Sequence, residues 1–515
     1  MSEWRTQNAS RTYAIALAIL AVIAVVRVAS THRELSATLD EPAHLADGYE
    51  WLEGRYALDP AHPPLARVLG ALPLRLAGVP ATTRGNATER GGVLLHHGHY
   101  WTNLSRARWG NLLLLIVAVA AIALWAKDRV VGLLAVAIFT TLPPVLGHAG
   151  VLTTDLAVTA MLVVALVALE RFLEEPTWRS ALVLGVAVAL GVLSKFSFLV
   201  FFPAAGLVLT GRGRLKPALR LAPVVFICAV FVVWGGYRFE VGKASGLSRD
   251  AVFLFHYAAP EPLIGAARWL AATNVPAPAL ALGLASLKFH DREGHEAYLL
   301  GEVRQHGWWY YFPVVFFYKT PLPFLILAMW GIRARPRLAL MALAVLLVAM
   351  SGSINIGVRH VLPMYAPLSI VAAHGVVRIA RQAKAPFSRA VLAALVVWLF
   401  GGIALAHPDY LAWFNGVAQP NPARIAVDSN LDWGQDAARL DRAARELGID
   451  VLHVAVATTI PSSVPSIPLQ PYVKTRGWVA VSETPLALHA EEYRWLSAYR
   501  PVRRVGTSIR LYFIP

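Results

Sequence analysis

Apolar runs close to twenty residues long recur along this chain, and several of the polar segments between them are short and carry arginine. About 20 consecutive apolar residues span the hydrocarbon core as a helix. The runs predict spans over 13–29, 109–126, 130–148, 154–172, 180–194, 196–210, 218–236, 311–332, 338–351, 361–378 and 389–406. The expected fold class is a polytopic, all-α membrane bundle of about eleven helices. The stretch 180–210 reads either as two thin spans or as one re-entrant hairpin, and the second choice would invert the orientation of everything after it. No small-residue cleavage site follows the first run, which is read as a signal anchor.

The charges between the runs give an orientation. With the N-terminus in the cytoplasm, the segments 127–129, 171–179, 212–220, 333–337 and 378–389 fall inside, and each carries at least two bases. This is the positive-inside pattern. Three long segments then lie outside, 30–108, 237–310 and 407–515. The expected division is a membrane domain over 1–406, bearing the first two of these as extracytoplasmic loops, and a C-terminal extracytoplasmic domain over 407–515. The tail alternates a polar amphipathic stretch, 435–447, with an apolar run, 451–456, and then a Pro- and Ser-rich stretch, 461–468. That alternation predicts a small α/β domain resting on the outer face.

Composition agrees. The 515 residues are 57% hydrophobic and 15% charged, against about a quarter charged in a soluble domain. The net charge of +16 would suggest nucleic acid in a soluble protein. Here the bases gather at span ends, so they report orientation, and nucleic acid is not an expected partner. Anionic lipid or a phosphate-bearing substrate could also use them. Cys228 is the only cysteine and cannot form an intrachain disulfide.

Five groups could carry chemistry. In Leu39-Asp40-Glu41-Pro42, followed by His44, proline favours a helix start, and two carboxylates would sit at its tip just outside the bilayer. They could be a cap or a general base. In Asp59-Pro60-Ala61-His62-Pro63-Pro64-Leu65-Ala66-Arg67, His62 and Arg67 flank the first turn of another helix, a place suited to anions. Thr153-Thr154-Asp155 opens the fourth span at the depth expected for Asp40. Lys195, Arg359 and His360 fall outside, against the positive-inside trend. They could snorkel to lipid headgroups or bind phosphate. In the tail, Asp428-Ser429-Asn430-Leu431-Asp432-Trp433-Gly434-Gln435-Asp436 could be a turn and helix cap. Alternatively Asp428, Asn430, Asp432, Trp433 and Gln435 could form a sugar-contacting surface. His96-His97-Gly98-His99 lacks the spaced acids or thiols of a metal site, and no P-loop, G-x-S-x-G or paired C-x-x-C is present.

The order of these motifs resembles the GT-C glycosyltransferases of family 39. That superfamily includes protein O-mannosyltransferases and lipid A aminoarabinose transferases. The acidic pair after span one, the later His-Pro-Pro-Leu and the Thr-Thr-Asp at span four carry the likeness. So does Arg359-His360-Val361-Leu362-Pro363-Met364-Tyr365, which resembles the family's basic-aromatic-Leu-Pro-aromatic segment. Asn415 and the 428–436 stretch resemble a bacterial branch, and the likeness extends over roughly 13–440. It implies a polyprenyl-phosphate-linked sugar as donor and transfer to an acceptor hydroxyl on protein, lipid or glycan, with inversion. The expected setting is a bacterial inner membrane, with the site facing the periplasm.

By position the resemblance implies Asp40 as base, Asp155 as a second acid and Glu41 as a neighbour that orients or tunes Asp40. His62, Arg67, Lys195, Arg359 and His360 are the candidates for the donor phosphate. Arg67 stands where the family often has lysine. No C-terminal β-trefoil is suggested, which weakens the inference of a protein acceptor. Metal use varies in the superfamily, so a divalent cation stays open and no cofactor is assigned. The alternatives are a transporter or lipid flippase, and a non-catalytic assembly subunit.

Overall fold

The computed structural model describes residues 2–55, 59–210, 215–383, 385–458, 460 and 462–515. Part of the expected inner segment 212–220 and residue 461 of the Pro-Ser stretch lie outside the described residues. Most of the chain is helical. The first half runs through α1 (Ser2–Ala29), α2 (Glu41–Leu52), α3 (Pro64–Leu76), α4 (Ala87–His96), α5 (Tyr100–Trp125), α6 (Arg129–Phe139), α7 (Pro143–Ala149), α8 (Asp155–Glu174), α9 (Trp178–Ser194), α10 (Phe198–Leu207) and α11 (Leu215–Gly236). Four short helices follow, α12 (Ala244–Leu247), α13 (Ala251–Ala258), α14 (Ile264–Ala272) and α15 (Pro278–Glu293). The bundle resumes with α16 (Tyr311–Lys319), α17 (Leu322–Gly331), α18 (Pro336–Ala349), α19 (Tyr365–Gln382) and α20 (Pro386–Ala406).

Among the described residues six helices are long and apolar enough to cross a membrane, or up to eight if each bent pair counts as one span. Two of the expected straight spans are broken. The expected 130–148 span is α6 and α7, bent by 70°, and 311–332 is α16 and α17, bent by 110°. Proline lacks the backbone donor and clashes with the preceding turn. Pro143 and Pro144 therefore open a new helix after α6, and Pro321 and Pro323 do so after α16. The expected 180–194, 196–210 and 338–351 spans fall on α9, α10 and α18, which are shorter apolar helices. Lys195 to Ser197 separate α9 from α10.

Burial sorts the helices. The apolar window of α8 is 83% buried, whereas those of α1, α11 and α20 are at most 17% buried. Val22, Phe226, Ile227, Val397 and Trp398 are exposed on the outer helices. Exposed apolar surface on that scale marks contact with lipid or a partner. α8 thus forms the centre of the bundle, and its first turn carries Asp155.

The segment after α1 folds back over the bundle end. α2 packs on α3 and α4 through glycines that admit close backbone approach. A Cβ on Gly48 would lie 2.0 Å from the Arg67 carbonyl oxygen, and one on Gly91 would lie 1.8 Å from that of Pro42. α4 starts in a capping box between Asn86 and Glu89.

The tail divides differently from the expected boundary at 407. Residues 407–436 thread along the helices. The α/β unit begins with α21 (Ala437–Glu446), followed by β-strands and the short α22 (Glu483–Leu488). Its five-stranded sheet has the order β6 (Ser466–Pro468), β5 (Leu452–Ala455), β7 (Gly477–Ser482), β9 (Ile509–Ile514), β8 (Arg503–Val505). β5 is parallel to both neighbours, while β7–β9 and β9–β8 are antiparallel. Earlier in the chain β1 (Val241–Gly242) pairs with β2 (Val275–Pro276), and β3 (Ala297–Leu299) with β4 (Glu302–Arg304).

Candidate active site

Asp40 stands immediately before α2, where a cap is expected, but its side chain makes no capping bond. Its Oδ2 instead accepts from Arg359 Nη1 at 3.1 Å, and the side chain stays 38% exposed. Asp155, at the start of α8, is buried, and its Oδ1 lies 2.5 Å from Lys195 Nζ. Both carboxylates are therefore ion-paired, but Asp40 stays partly open to solvent while Asp155 is sealed in. Asp155 also lies within electrostatic reach of Arg359, His148 and His360. His62 lies within reach of Lys195, Asp155 and Arg359. The structure thus gathers Asp40, Asp155, His62, Lys195, Arg359 and His360 at one end of the bundle.

Glu41 points away from this cleft. Both its oxygens are gripped by Arg108, through Nε and Nη2 at 2.8 Å each. They also accept from the backbone N–H groups of Leu152 and Thr38, each at 2.8 Å. A carboxylate with both oxygens so engaged has little capacity left for chemistry. Its effect is positional, since it ties the start of α2 to α5 and to the residue that precedes Thr153-Thr154-Asp155. Arg108 also donates to the carbonyls of Leu35 and Ser36 at 2.9 and 2.8 Å.

Arg67 is likewise committed. Its Nε donates to His44 Nδ1 at 3.1 Å, and its Nη1 to the carbonyls of Asp59 and His62 at 2.8 and 2.9 Å. Its Nη2 lies 2.7 Å from Asp59 Oδ2 and 3.1 Å from Asp47 Oδ2. A guanidinium donates through three nitrogens, and these partners occupy all three. The expected contact from Arg67 to the donor phosphate is therefore not available as placed; Arg67 holds the His62 loop. His62 is half-buried, and burial followed by the Arg67 charge pushes its imidazole well below the usual pKa. It is a neutral donor or acceptor rather than the cation expected.

Arg359 and His360 ride on a 3-10 turn, Val358–Met364, that leads into α19. The guanidinium of Arg359 stacks on the Trp433 ring, 4.2 Å from its centroid, and its buried Nε has no hydrogen-bond partner. His360 is half-buried and stacks on Phe312 at 5.8 Å between centroids.

The 428–436 stretch is not the sugar-contacting surface expected. Asn430, Asp432, Trp433 and Gln435 are buried. Asn430 Oδ1 accepts from the Val358 N–H at 3.0 Å, and its Nδ2 donates to the Tyr311 hydroxyl at 2.9 Å. Asp432 Oδ2 accepts from the Thr484 N–H at 3.0 Å. Gln435 Oε1 accepts from the Trp433 N–H at 2.7 Å, and its Nε2 donates to the Leu431 carbonyl at 2.8 Å. The Trp433 carbonyl in turn accepts from the Leu39 N–H at 3.1 Å. The stretch is an internal strut between the turn of Arg359 and the residue before Asp40. Asp428 alone of the five is half-buried, and it lies within electrostatic reach of Arg359 and Asp40. Burial pushes its carboxyl up, against the opposing pull of Arg359.

Sequence reasoning missed Arg108, His148 and Lys319. Arg108 was legible only as a base lying within the apolar helix α5 rather than before it. Lys319 is buried and donates to the carbonyls of Leu411 and Asn430, each at 2.7 Å, which anchors the tail to α16. Among the described residues no three His, Cys, Asp or Glu side chains gather as metal ligands, and that includes the histidines at 96, 97 and 99.

Helices of membrane-spanning length and a cleft of opposed acids and bases define the general class, a polytopic membrane protein with a polar site at one end of its bundle. The comparisons add a likeness over part of the chain. Residues 102–235, which carry Arg108, Asp155 and Lys195, match the family described as dolichyl-phosphate-mannose-protein mannosyltransferase. Over that quarter of the chain the protein is similar to this family of membrane glycosyltransferases. Among curated protein sequences none matches the chain.

Solved structures similar to it include ArnT from Cupriavidus metallidurans bound to undecaprenyl phosphate. That likeness has 12% identity and a TM-score of 0.49, and covers 96% of this chain and 97% of that one. An Archaeoglobus fulgidus oligosaccharyltransferase tethered with an acceptor peptide is 12% identical with a TM-score of 0.48, over 90% of this chain and 61% of that one. The S. cerevisiae protein O-mannosyltransferase Pmt1-Pmt2 complex bound to the sugar donor is 17% identical with a TM-score of 0.33, over 44% and 33%. Likenesses at this level carry no residue-by-residue correspondence.

Proposed function

We propose that the protein moves a sugar from a polyprenyl-phosphate donor to an acceptor hydroxyl, with inversion, on the extracytoplasmic face of a bacterial inner membrane. The observation that carries this reading is the contrast between the two cleft aspartates. Asp40 is open and bonded to Arg359, and Asp155 is buried against Lys195.

Asp40 takes the proton of the acceptor hydroxyl as its oxygen attacks the anomeric carbon. The bond from that carbon to the phosphate oxygen breaks, and the lipid phosphate leaves with the electron pair. Lys195 and Arg359 offset the charge that develops on the leaving phosphate. The free Nε of Arg359 supplies a donor that no protein group uses. Asp155 positions Lys195. Inversion needs one displacement, hence one base and no covalent enzyme intermediate. In the tail, Asp428 faces the cleft, while Asn430, Asp432, Trp433 and Gln435 support it.

The test is turnover of a panel of polyprenyl-phosphate sugars by purified protein. Asp40→Asn is expected to lose a factor on the order of 10² to 10⁴ in rate, the usual contribution of a general base, with expression and thermal unfolding unchanged. Wild-type-like turnover in that variant removes Asp40 from the role.

A further inference from the structure

α8 carries Asp155 in its first turn and Glu170 fifteen residues later. At 1.5 Å rise per residue the two are roughly 22 Å apart along the helix axis. At the Glu170 end a cavity of about 310 Å³ opens between α5, α8, α10, α18 and α19, far from the cleft of Asp40. Part of its lining is apolar, from Trp125, Leu209, Leu338, Met341 and Ile370. Part is charged, from Lys127, Glu170, Arg335 and Arg337.

The charges of this lining do not balance. Glu170 accepts from Trp125 Nε1 at 3.1 Å and from Lys127 Nζ at 3.3 Å, and Lys127 also reaches Glu174 at 2.9 Å. That acid is spent on lysine and indole. The Arg335 side chain donates to a histidine ring, His374 Nε2, at 2.9 Å. Among the described residues neither Arg335 nor Arg337 has a carboxylate within ion-pair distance. Asp128 and Arg381, of opposite charge, both lie within electrostatic reach of the same His374. Two arginines without a carboxylate in ion-pair distance therefore line a cavity that also presents aliphatic and aromatic side chains.

A soluble anion would match the arginines and leave the apolar lining unsatisfied. A hydrocarbon chain would do the reverse. A lipid with a phosphate headgroup satisfies both, because guanidinium groups bind phosphate oxygens in pairs and basic pockets between spanning helices are suited to anionic headgroups. We propose that this cavity is a second lipid-phosphate site, at the opposite end of the bundle from the donor cleft. The phosphate lies between Arg335 and Arg337, and the first carbons of the chain lie against Leu338 and Met341. The inference does not depend on glycosyl transfer. The headgroup chemistry is shared by glycerophospholipids and by polyprenyl phosphate.

Native mass spectrometry of the purified full chain, titrated with phosphatidylglycerol, undecaprenyl phosphate or phosphatidylcholine, tests it. The wild-type protein is expected to retain one phosphatidylglycerol or undecaprenyl phosphate at least ~10-fold more tightly than Arg335→Gln/Arg337→Gln, the effect of losing two charge-assisted contacts. Phosphatidylcholine, whose phosphate is offset by its own choline, should not discriminate between the two. Met341→Trp, which fills the apolar part of the lining with both arginines intact, should weaken retention as well. Preference for phosphatidylglycerol would identify a structural lipid, and preference for undecaprenyl phosphate a carrier-lipid site; either supports the proposal. Equal retention by wild type and the double variant overturns it. So does an equal loss in Arg179→Gln, which removes an exposed base that does not line the cavity.

Discussion

Asp47 lies about one turn beyond His44 on α2, and its carboxyl is pushed up to about 7. Burial is the main cause, Asp59 and Glu50 add to it, and Arg67 and Arg90 oppose it. An acid whose folded pKa exceeds its unfolded value binds more protons in the folded state. Its contribution to stability is complete below the unfolded value near 3.8 and is lost as pH rises towards 7. Thermal unfolding in detergent is therefore expected to show stability falling over that window. Asp47→Asn should flatten the slope and unfold at a higher temperature than wild type at pH 8. An unchanged pH profile in the variant would mean that Asp47 is ionised throughout. His62 and Arg67 make a related point at this scale. Both were legible as residues beside a helix start, but whether each carries a free charge depends on neighbours such as Asp59 and His44, which only the folded chain supplies.

At the scale of elements, the join between α2, α5 and α8 rests on Glu41 and Arg108. Both are fully buried, and the pair is closed by backbone donors and acceptors from both loops. Removing one partner of a buried pair leaves an uncompensated charge and costs about 3–5 kcal/mol. Arg108→Met is expected to fall in that range, measured by unfolding in detergent. The double variant Glu41→Gln/Arg108→Met should recover part of the loss. If the two single effects simply add, the pair is not coupled. The bends after α6 and α16 belong to this scale too. Their prolines were visible, yet hydropathy alone merges each pair into one span, because an apolar window records composition and not direction.

For the whole molecule, the tail completes the cleft from a distance in sequence. Trp433 stacks on Arg359, and Asn430 holds the turn on which Arg359 sits. A cation–π contact contributes roughly 0.5–2 kcal/mol. Trp433→Ala is accordingly expected to lower kcat/KM by about 2- to 30-fold, and Trp433→Phe to restore most of it. Failure of phenylalanine to rescue would assign Trp433 a packing role in place of a positioning one. The strut also accounts for the position of the α/β unit, whose first helix starts at Ala437. Asn415 and Asn430 in the 407–436 segment bond to groups of the helix α16 and the turn after it, and only the following chain folds into the sheet around β7 and β9.

The apolar runs and the acids at their ends were determined by the sequence alone. Lipid offers no hydrogen bonds, so each span must satisfy its own backbone and advertise itself as an apolar helix. Asp40 and Asp155 were conspicuous for the same reason, as ionisable groups where few are tolerated. Which of the two is open, and which bases remain unspent, was decided by tertiary structure. Those properties arise from pairs such as Asp40 with Arg359 and Glu41 with Arg108, whose partners lie 319 and 67 residues apart. No local pattern encodes such pairs, because the energy that forms them appears only when the bundle brings distant turns together.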